Sequence, residues 1–417
     1  MAESDVADPT LAEAGEARIA WADGQMPVLR SIRERFADER PLDGIVVGAC
    51  LHVTSETANL VRTLAAGGAE MALCASNPFA TQDDVAAALA ARGAEVHAIR
   101  GESADAWAAG VAAVVARAPR ITLDDGADLL TALHLARPDL LEGMIGGTEE
   151  TTTGLVRLRA LEAEGRLACP VVAVNEALTE RVFNDRFGTG QSALDGIIRT
   201  TNLLLAGRTL VVLGYGWTGK GVALRAQGLG ASVMVCEVDP MRALEARMDG
   251  FEVLPALAAA ERGDVFVTVT GGRDVLRAEH FARMKDGAVL ANAGHFDVEI
   301  DLEGLRGAAA SVREVRPLVE QYDLGGRKLN LLAGGRVVNL AAAEGHPAAV
   351  MDISFALQAL AVELLARGEG SLGPGVHAVP EHIDREVAAL KLASLGVEID
   401  TLSDEQARYL QGWQGSA

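Results

Sequence analysis

The stretch that decides the fold is Thr209–Asp239, TLVVLGYGWTGKGVALRAQGLGASVMVCEVD. Thr209–Leu213 is a short apolar run with the β-branched content of a buried parallel strand. It enters the glycine turn Gly214-Tyr215-Gly216-Trp217-Thr218-Gly219. Beyond the turn, Val222, Leu224, Ala226 and Leu229 suit a helix packed on a sheet, and a second apolar run, Val233–Cys236, ends at Glu237. Strand, GxGxxG turn, helix, strand and carboxylate form the dinucleotide-binding fingerprint. Gly214 permits the tight turn, Gly216 lets backbone approach a pyrophosphate, and Gly219 allows close helix–strand packing. The helix start offers free N–H groups and a positive dipole end to phosphate. Glu237 would bond a ribose diol and repel a 2′-phosphate, which favours NAD over NADP.

Working outward, the same βα alternation continues on both sides. Before the turn, strands are expected at Gly44–Cys50, Glu70–Cys74, Glu95–Ile99, Arg120–Leu123 and Pro170–Val174. Helices are expected at Glu56–Ala66, Gln82–Arg92, Thr152–Glu164 and Ser192–Ala206. After it, strands are expected at Val265–Val269, Ala288–Ala291, Leu329–Leu332 and Val337–Leu340. A long amphipathic helix follows at Val350–Leu365, then polar helical sequence. Residues up to Asp43 read as a helical lead-in with Trp21, Met26, Val28, Leu29 and Ile32 as its apolar face. The expected fold is α/β with two doubly wound domains. A discontinuous substrate domain takes residues 1–190 and 351–417, and a Rossmann NAD-binding domain takes residues 191–350. Ligands of such sheets gather at the carboxyl ends of strands, which places His52, Asp125 and Asn175 on one rim.

The 417 residues are 49% apolar and carry a net charge of −21, a balance that disfavours nucleic acid and anionic membrane as partners. Cys50, Cys74, Cys169 and Cys236 are scattered without a CxxC pair and read as buried free thiols. The acidic N-terminus has no targeting pattern and no apolar run reads as a membrane span, so a cytoplasmic protein is expected. No metal site is expected.

The strings CLHVTSETA (50–58), SNPFATQDDVAAAL (76–89), DDGADL (124–129), GGTEETTTG (146–154), GTGQSALDGI (188–197), GYGWTGKG (214–221), NAGHFDVEID (292–301) and GHPAAVMD (345–352) occur in this order. Over nearly its whole length the chain resembles the S-adenosylhomocysteine hydrolase family, in the shorter form that ends near Tyr409-Leu410-Gln411-Gly412-Trp413-Gln414 and lacks the Lys/Tyr tail of the longer form. The resemblance implies a homotetramer, with a homodimer as the alternative, and a resident NAD that oxidises the ribose 3′-hydroxyl of an adenine nucleoside. The ketone acidifies the C4′ proton, the 5′ substituent leaves, water adds, and the ketone is reduced. It assigns His52 and His295 to the leaving group, Asp125 to proton transfer at C4′ or contact with the 5′-oxygen, and Glu150 to the ribose. Thr54, Glu56, Thr57 and His346 fall to the adenine end. Thr151, Thr152, Thr153, Asp185, Asn292 and Asn339 join Gly214, Gly216, Trp217, Thr218, Gly219 and Glu237 around NAD.

One segment departs from that pattern. The family form VNDSxxKxxFDN reads VNEALTERVFND at 174–185, so Glu180 stands at the lysine that takes the 3′-hydroxyl proton, and Asn184 and Asp185 replace Asp-Asn. A charge reversal in a closed cleft is not neutral drift. With the base and leaving-group strings intact, the expectation is an oxidise-then-eliminate enzyme with a rewritten sugar face, acting as a 4′,5′-dehydratase of the kind associated with angustmycin-type nucleosides. The alternatives are an S-adenosylhomocysteine hydrolase giving adenosine and homocysteine, and a catalytically dead NAD- or nucleoside-binding regulator.

Overall fold

The computed structural model describes residues 4–368 and 372–411; the Gly412–Gln414 end of the terminal motif lies outside them. Two eight-stranded sheets organise the chain. The first runs Asp5–Val6, Glu95–Ala98, Glu70–Ala75, Val46–Leu51, Ile121–Asp124, Gly146–Glu149, Pro170–Ala173 and Gly375–Ala378, all parallel. The second runs Glu252–Val253, Ser232–Cys236, Thr209–Leu213, Val265–Thr268, Ala288–Asn292, Lys328–Leu332, Val319–Asp323 and Ser311–Arg316, its last two strands antiparallel. Strand Gly375–Ala378 pairs with Pro170–Ala173, so the chain returns to the first sheet after completing the second.

Sheet order reverses at Val46–Leu51 beside Ile121–Asp124 in the first sheet, and at Thr209–Leu213 beside Val265–Thr268 in the second. At such switch points the connections leave in opposite directions and open a crevice at the strands' carboxyl ends. His52 and Asp125 emerge at the first, and the glycine turn emerges at the second.

Several expected elements are corrected. Val337–Leu340 is not a strand: Val338–Ala341 is a helical turn. This apolar run lies at the end of the sheet, where a single helical turn buries Val338 and Asn339 as effectively as a strand would. The edge hairpin Ser311–Arg316 and Val319–Asp323 has no counterpart among the expected strands, because its outer strand is polar and exposed throughout. Strand Gly146–Glu149 hides in a glycine-rich string whose small residues fit a crowded sheet centre: a Cβ on Gly146 would lie 2.7 Å from the Pro170 carbonyl. Trp21 is 77% exposed and does not join Met26, Val28, Leu29 and Ile32 in the core.

The helix Ala348–Arg367 is longer than expected and is buried on nearly all sides rather than amphipathic. By length and hydropathy it would also qualify as a membrane span, contrary to the expectation of none, but 89% of its apolar window is buried among other elements, which makes it a core helix. Its polar residues are anchors. Asp352, fully buried, accepts from Val28 N (3.3 Å) and Leu29 N (2.8 Å) at the start of helix Pro27–Glu39, and from Lys391 Nζ (2.8 Å) in helix Glu381–Ser394. Glu363 takes both guanidinium nitrogens of Arg35 at 2.8 and 2.6 Å. The central helix thereby fastens both ends of the chain. Asp352→Ala, which strips a partly buried ammonium and two buried helix-end donors of their partner, is expected to cost about 3 kcal/mol. The drop in urea midpoint measures it, and a loss under about 1 kcal/mol would contradict the anchoring role.

All four cysteines are free and buried, as expected.

Candidate functional site

A cleft of about 1640 Å³ lies between the carboxyl ends of the two sheets. On the first sheet's rim, His52 Nε2 stands 3.1 Å from Asp125 Oδ2. Adjacent parallel strands set this spacing, since Asp125 N bonds Cys50 O at 3.0 Å. Ser76 Oγ, at the end of the neighbouring strand, is 3.0 Å from His52 Nδ1 and 3.5 Å from Asp125 Oδ2. A hydroxyl on one ring nitrogen and a carboxylate on the other fix the imidazole's orientation, and proton relay depends on that. His295 lines the cleft too, its ring edge-on to Phe296 with centroids 4.7 Å apart. The cleft walls desolvate it and lower its pKa, with the Asp125 charge opposing. Neutral imidazole is the form able to take a proton.

Next to Asp124 and Glu149, which are buried and bonded to loop and helix-start N–H groups, Glu150 turns into the cleft and accepts from Gln358 Nε2 at 2.7 Å. Burial and then the charges of Asp125 and Glu180 raise its pKa well above the carboxylate range. Glu180 is 1% exposed; its Oε1 accepts from Asn184 Nδ2, which also donates to Ser354 Oγ at 3.0 Å. Burial raises Glu180 to about 8, with the charges of Asp185 and Asp384 adding to the rise and the nearby Ser354 hydroxyl and the bonded Asn184 amide opposing it. Asp185 lines the cleft, lifted to about 7 by burial against the pull of Arg181. Glu180–Thr189 is wound as a π-helix, a wide turn typical of functional sites.

The raised carboxyl has a consequence for stability. Between its ordinary value of 4.5 and about 8, Glu180 is ionised in the unfolded chain and protonated in the folded one. Its contribution to stability is therefore lost as pH rises through that window. Glu180→Gln is expected to gain on the wild type by several degrees in thermal midpoint between mildly acidic pH and pH 8. A constant difference across that range would contradict the shift.

At the far end, Thr54, Glu56, Thr57 and His346 line one pocket. His346 Nε2 is 2.8 Å from Thr189 Oγ1, and desolvation, then His52, pushes its pKa down to about 4. Burial raises Glu56, with the Glu344 charge adding to it. Thr57 is turned partly inward, its hydroxyl bonded to the His52 carbonyl at 2.5 Å.

The second sheet supplies a dinucleotide cradle. Gly214 has φ +107°, and a Cβ there would meet the Val269 carbonyl at 2.7 Å across the switch point. A Cβ on Gly219 would lie 2.0 Å from the Gly214 carbonyl. At Gly216 the nearest atom is Arg242 Nη1 at 3.8 Å, so that glycine leaves open space facing the cleft. Glu237 is held by Tyr215 N (2.7 Å), Val238 N (2.6 Å) and Asp239 N (3.0 Å). Trp217, Thr218, Thr151, Thr152 and Thr153 line the cleft around it, and Thr152 Oγ1 donates to Asn175 Oδ1 at 2.9 Å. Thr153 Oγ1 and Asn339 Oδ1 are buried, face the cleft and have no partner within the described residues. These orphaned atoms, the open Gly216 and the oriented carboxylate fit NAD.

Two expected contacts are placed differently. Gly219 acts through helix packing and does not line the cleft. Asn292 is fully buried behind the wall: its Nδ2 donates to Gly294 O (3.2 Å), Phe296 O (2.8 Å) and Gly335 O (3.0 Å), so it shapes the loop that carries His295. Four residues without an assigned role belong to the site: Ser76, Thr189, Ser354 and Gln358. Ser354 and Gln358 had a legible signal, as the two uncharged polar residues, one helical turn apart, of a largely apolar helix.

Comparisons with known proteins agree with this geometry. Residues 3–140 match the family model "S-adenosyl-L-homocysteine hydrolase", and residues 185–345 match "S-adenosyl-L-homocysteine hydrolase, NAD binding domain". The chain is 56% identical to the adenosylhomocysteinase of Aquifex aeolicus, over 99% of each chain. It is 53% identical to the S-inosyl-L-homocysteine hydrolase of Methanocaldococcus jannaschii, over 98% of this chain and 99% of that one. Among solved structures, a dipicolinate synthase chain from Bacillus halodurans shares the fold, with a TM-score of 0.51 at 15% identity over 78% of this chain and 99% of the other. The chain belongs to the S-adenosyl-L-homocysteine hydrolase family, and it is an enzyme with NAD as its cofactor.

Proposed function

We propose that this enzyme cleaves S-adenosyl-L-homocysteine to adenosine and homocysteine. The observation that carries the reading is the His52–Asp125 pair at one switch point, facing across a shared cleft the glycine turn at the other. NAD, when bound, supplies reversible oxidation of the sugar. The chain's own residues do the rest. Glu150, braced by Gln358, holds the ribose. Asp125 and His52 move protons at C4′ and at the departing sulfur, with His295 completing the set for water addition.

The dehydratase expectation finds no support in the comparisons, since the relatives at 52–56% identity are named adenosylhomocysteinase or S-inosyl-L-homocysteine hydrolase. Those relatives differ in the purine, adenine or hypoxanthine. As a carboxylate, Glu56 would accept from an exocyclic amine and face the hypoxanthine oxygen unfavourably, which favours adenine here. Thiol release measured with both substrates is expected to prefer S-adenosyl-L-homocysteine by roughly tenfold or more in kcat/KM. Preference for the inosyl substrate would overturn the purine assignment. No thiol from either, with loss of water from a 5′-hydroxy nucleoside, would overturn the hydrolase. A homotetramer is part of the proposal and is tested by sedimentation.

A further inference from the structure

The sugar side of the cleft is built from different chemistry than the lysine–aspartate pair of the family pattern. Glu180 enters from the start of the π-helix, and its Oε2 is buried without a partner among the described residues. A carboxyl oxygen left in that state is costly unless a ligand bonds it. Asn184, one turn on, occupies Oε1, and Ser354 holds Asn184 in place. The charged groups acting on Glu180 are Asp185 on its own segment, Asp384 from helix Glu381–Ser394 and Glu150 across the cleft, all acidic. On this side the central helix presents neutral groups, the polar Ser354 and Gln358 and the apolar Met351 and Phe355. A nucleoside sugar offers hydroxyl donors, and a hydroxyl is what the free oxygen lacks.

We propose that Glu180 takes the proton of the sugar hydroxyl as that carbon is oxidised and returns it when the ketone is reduced, with Asn184 and Ser354 as positioning residues. This rests on the reading above only in that a nucleoside sugar is oxidised. The O–H bond breaks toward Glu180 Oε2 as the C–H bond gives its hydride to the oxidised cofactor, and the C=O bond forms. Glu180 passes from carboxylate to neutral acid, and the acid can then donate to the new ketone oxygen. Charge runs opposite to that of a lysine base, which becomes cationic at the same point. Loss of the family aspartate follows, because a carboxylate at residue 184 would raise Glu180 further and shrink the fraction present as carboxylate before the step.

The test uses the NAD-loaded enzyme and compares wild type with Glu180→Gln and Glu180→Asp. Glu180→Gln is expected to lower kcat for thiol release by roughly 10²–10⁴-fold. In the wild type, the rate should rise with pH and level off no higher than about 8, and Glu180→Gln should lose that rising limb. Glu180→Asp should keep the limb at reduced rate. Independently of the chemistry, calorimetry on enzyme loaded with the reduced cofactor, which cannot oxidise the sugar, should show adenosine binding about tenfold or more tighter than 3′-deoxyadenosine in the wild type, and within about twofold in Glu180→Gln. Retention of both rate and limb in Glu180→Gln, or an unchanged preference for the 3′-hydroxyl, overturns the proposal. If the wild type releases no thiol, the hydrolase reading fails, and the two binding measurements still decide Glu180.

Discussion

His52→Gln is expected to reduce thiol release from S-adenosyl-L-homocysteine by roughly 10²–10⁴-fold, while reduced cofactor still forms with adenosine at a rate within a few-fold of wild type. The basis is spatial. His52 is fixed between Ser76 and Asp125 at the first sheet's switch point, whereas Glu180 and Asn184 lie in the segment leaving that sheet, bonded to the central helix. On the roles proposed above, oxidation and elimination draw on different side chains. Glutamine keeps a hydrogen-bonding group beside Asp125 but cannot accept or deliver a proton near neutral pH. Absorbance of the reduced cofactor reads the first half, and a thiol reagent reads the second. Equal loss in both would show that His52 serves the architecture of the whole cleft and not the leaving group.

The second large effect separates two glycines of one motif. Gly216→Ala should leave the apo protein's stability within about 0.5 kcal/mol, because no protein atom lies closer than 3.8 Å to the added carbon. It should weaken NAD binding by roughly 100-fold, because that carbon occupies the space where pyrophosphate approaches the helix start. Gly219→Ala should do the reverse in order: the added carbon meets the Gly214 carbonyl at 2.0 Å, so the turn and helix must separate and stability falls before binding is measured. Thermal midpoints of the apo proteins, followed by NAD titration of whatever remains folded, distinguish the two. Similar stability losses at both positions would mean that Gly216 also has a packing role.

Much of this architecture is readable because parallel sheets buried on both faces write themselves as short apolar runs, and the rim residues follow directly from where those runs end. His52, Asp125 and the glycine turn are placed in that way. The hairpin at 311–323 escapes because an exposed edge strand needs no apolar pattern. Asn292 falls to the cofactor by sequence because its string resembles a cofactor-lining one; only three-dimensional contacts reveal that its amide is spent on three carbonyls behind the wall. Gln358 and Ser354 stand out as uncharged polar residues in a largely apolar helix, but their partners are hidden by distance along the chain, since each meets one at least 170 residues away. The charge reversal at Glu180 is visible in sequence, where it reads as a change of reaction. In the fold, burial and an amide partner suit the same position to the sugar-hydroxyl bond proposed above.

The π-helix and the return to the central helix have a mechanical meaning. The chain crosses from the first sheet to the second through Glu180–Thr189 and comes back at His346–Val350, and the two crossings touch: a Cβ on Gly188 would lie 2.9 Å from Val350 Cγ1 and 3.3 Å from His346 Cγ. The outgoing stretch of chain is also pressed against the dinucleotide helix, where a Cβ on Gly221 would lie 1.8 Å from the Arg186 carbonyl. Any swing of one sheet relative to the other must bend at this paired crossing, which makes it the fulcrum of the molecule. Displacement grows with distance from a fulcrum, so a group beside it travels least. Glu180 and Asn184 sit there, and the mouth of the cleft lies at the end of the lever. A gape at the rim would therefore leave Glu180 and Asn184 nearly in register.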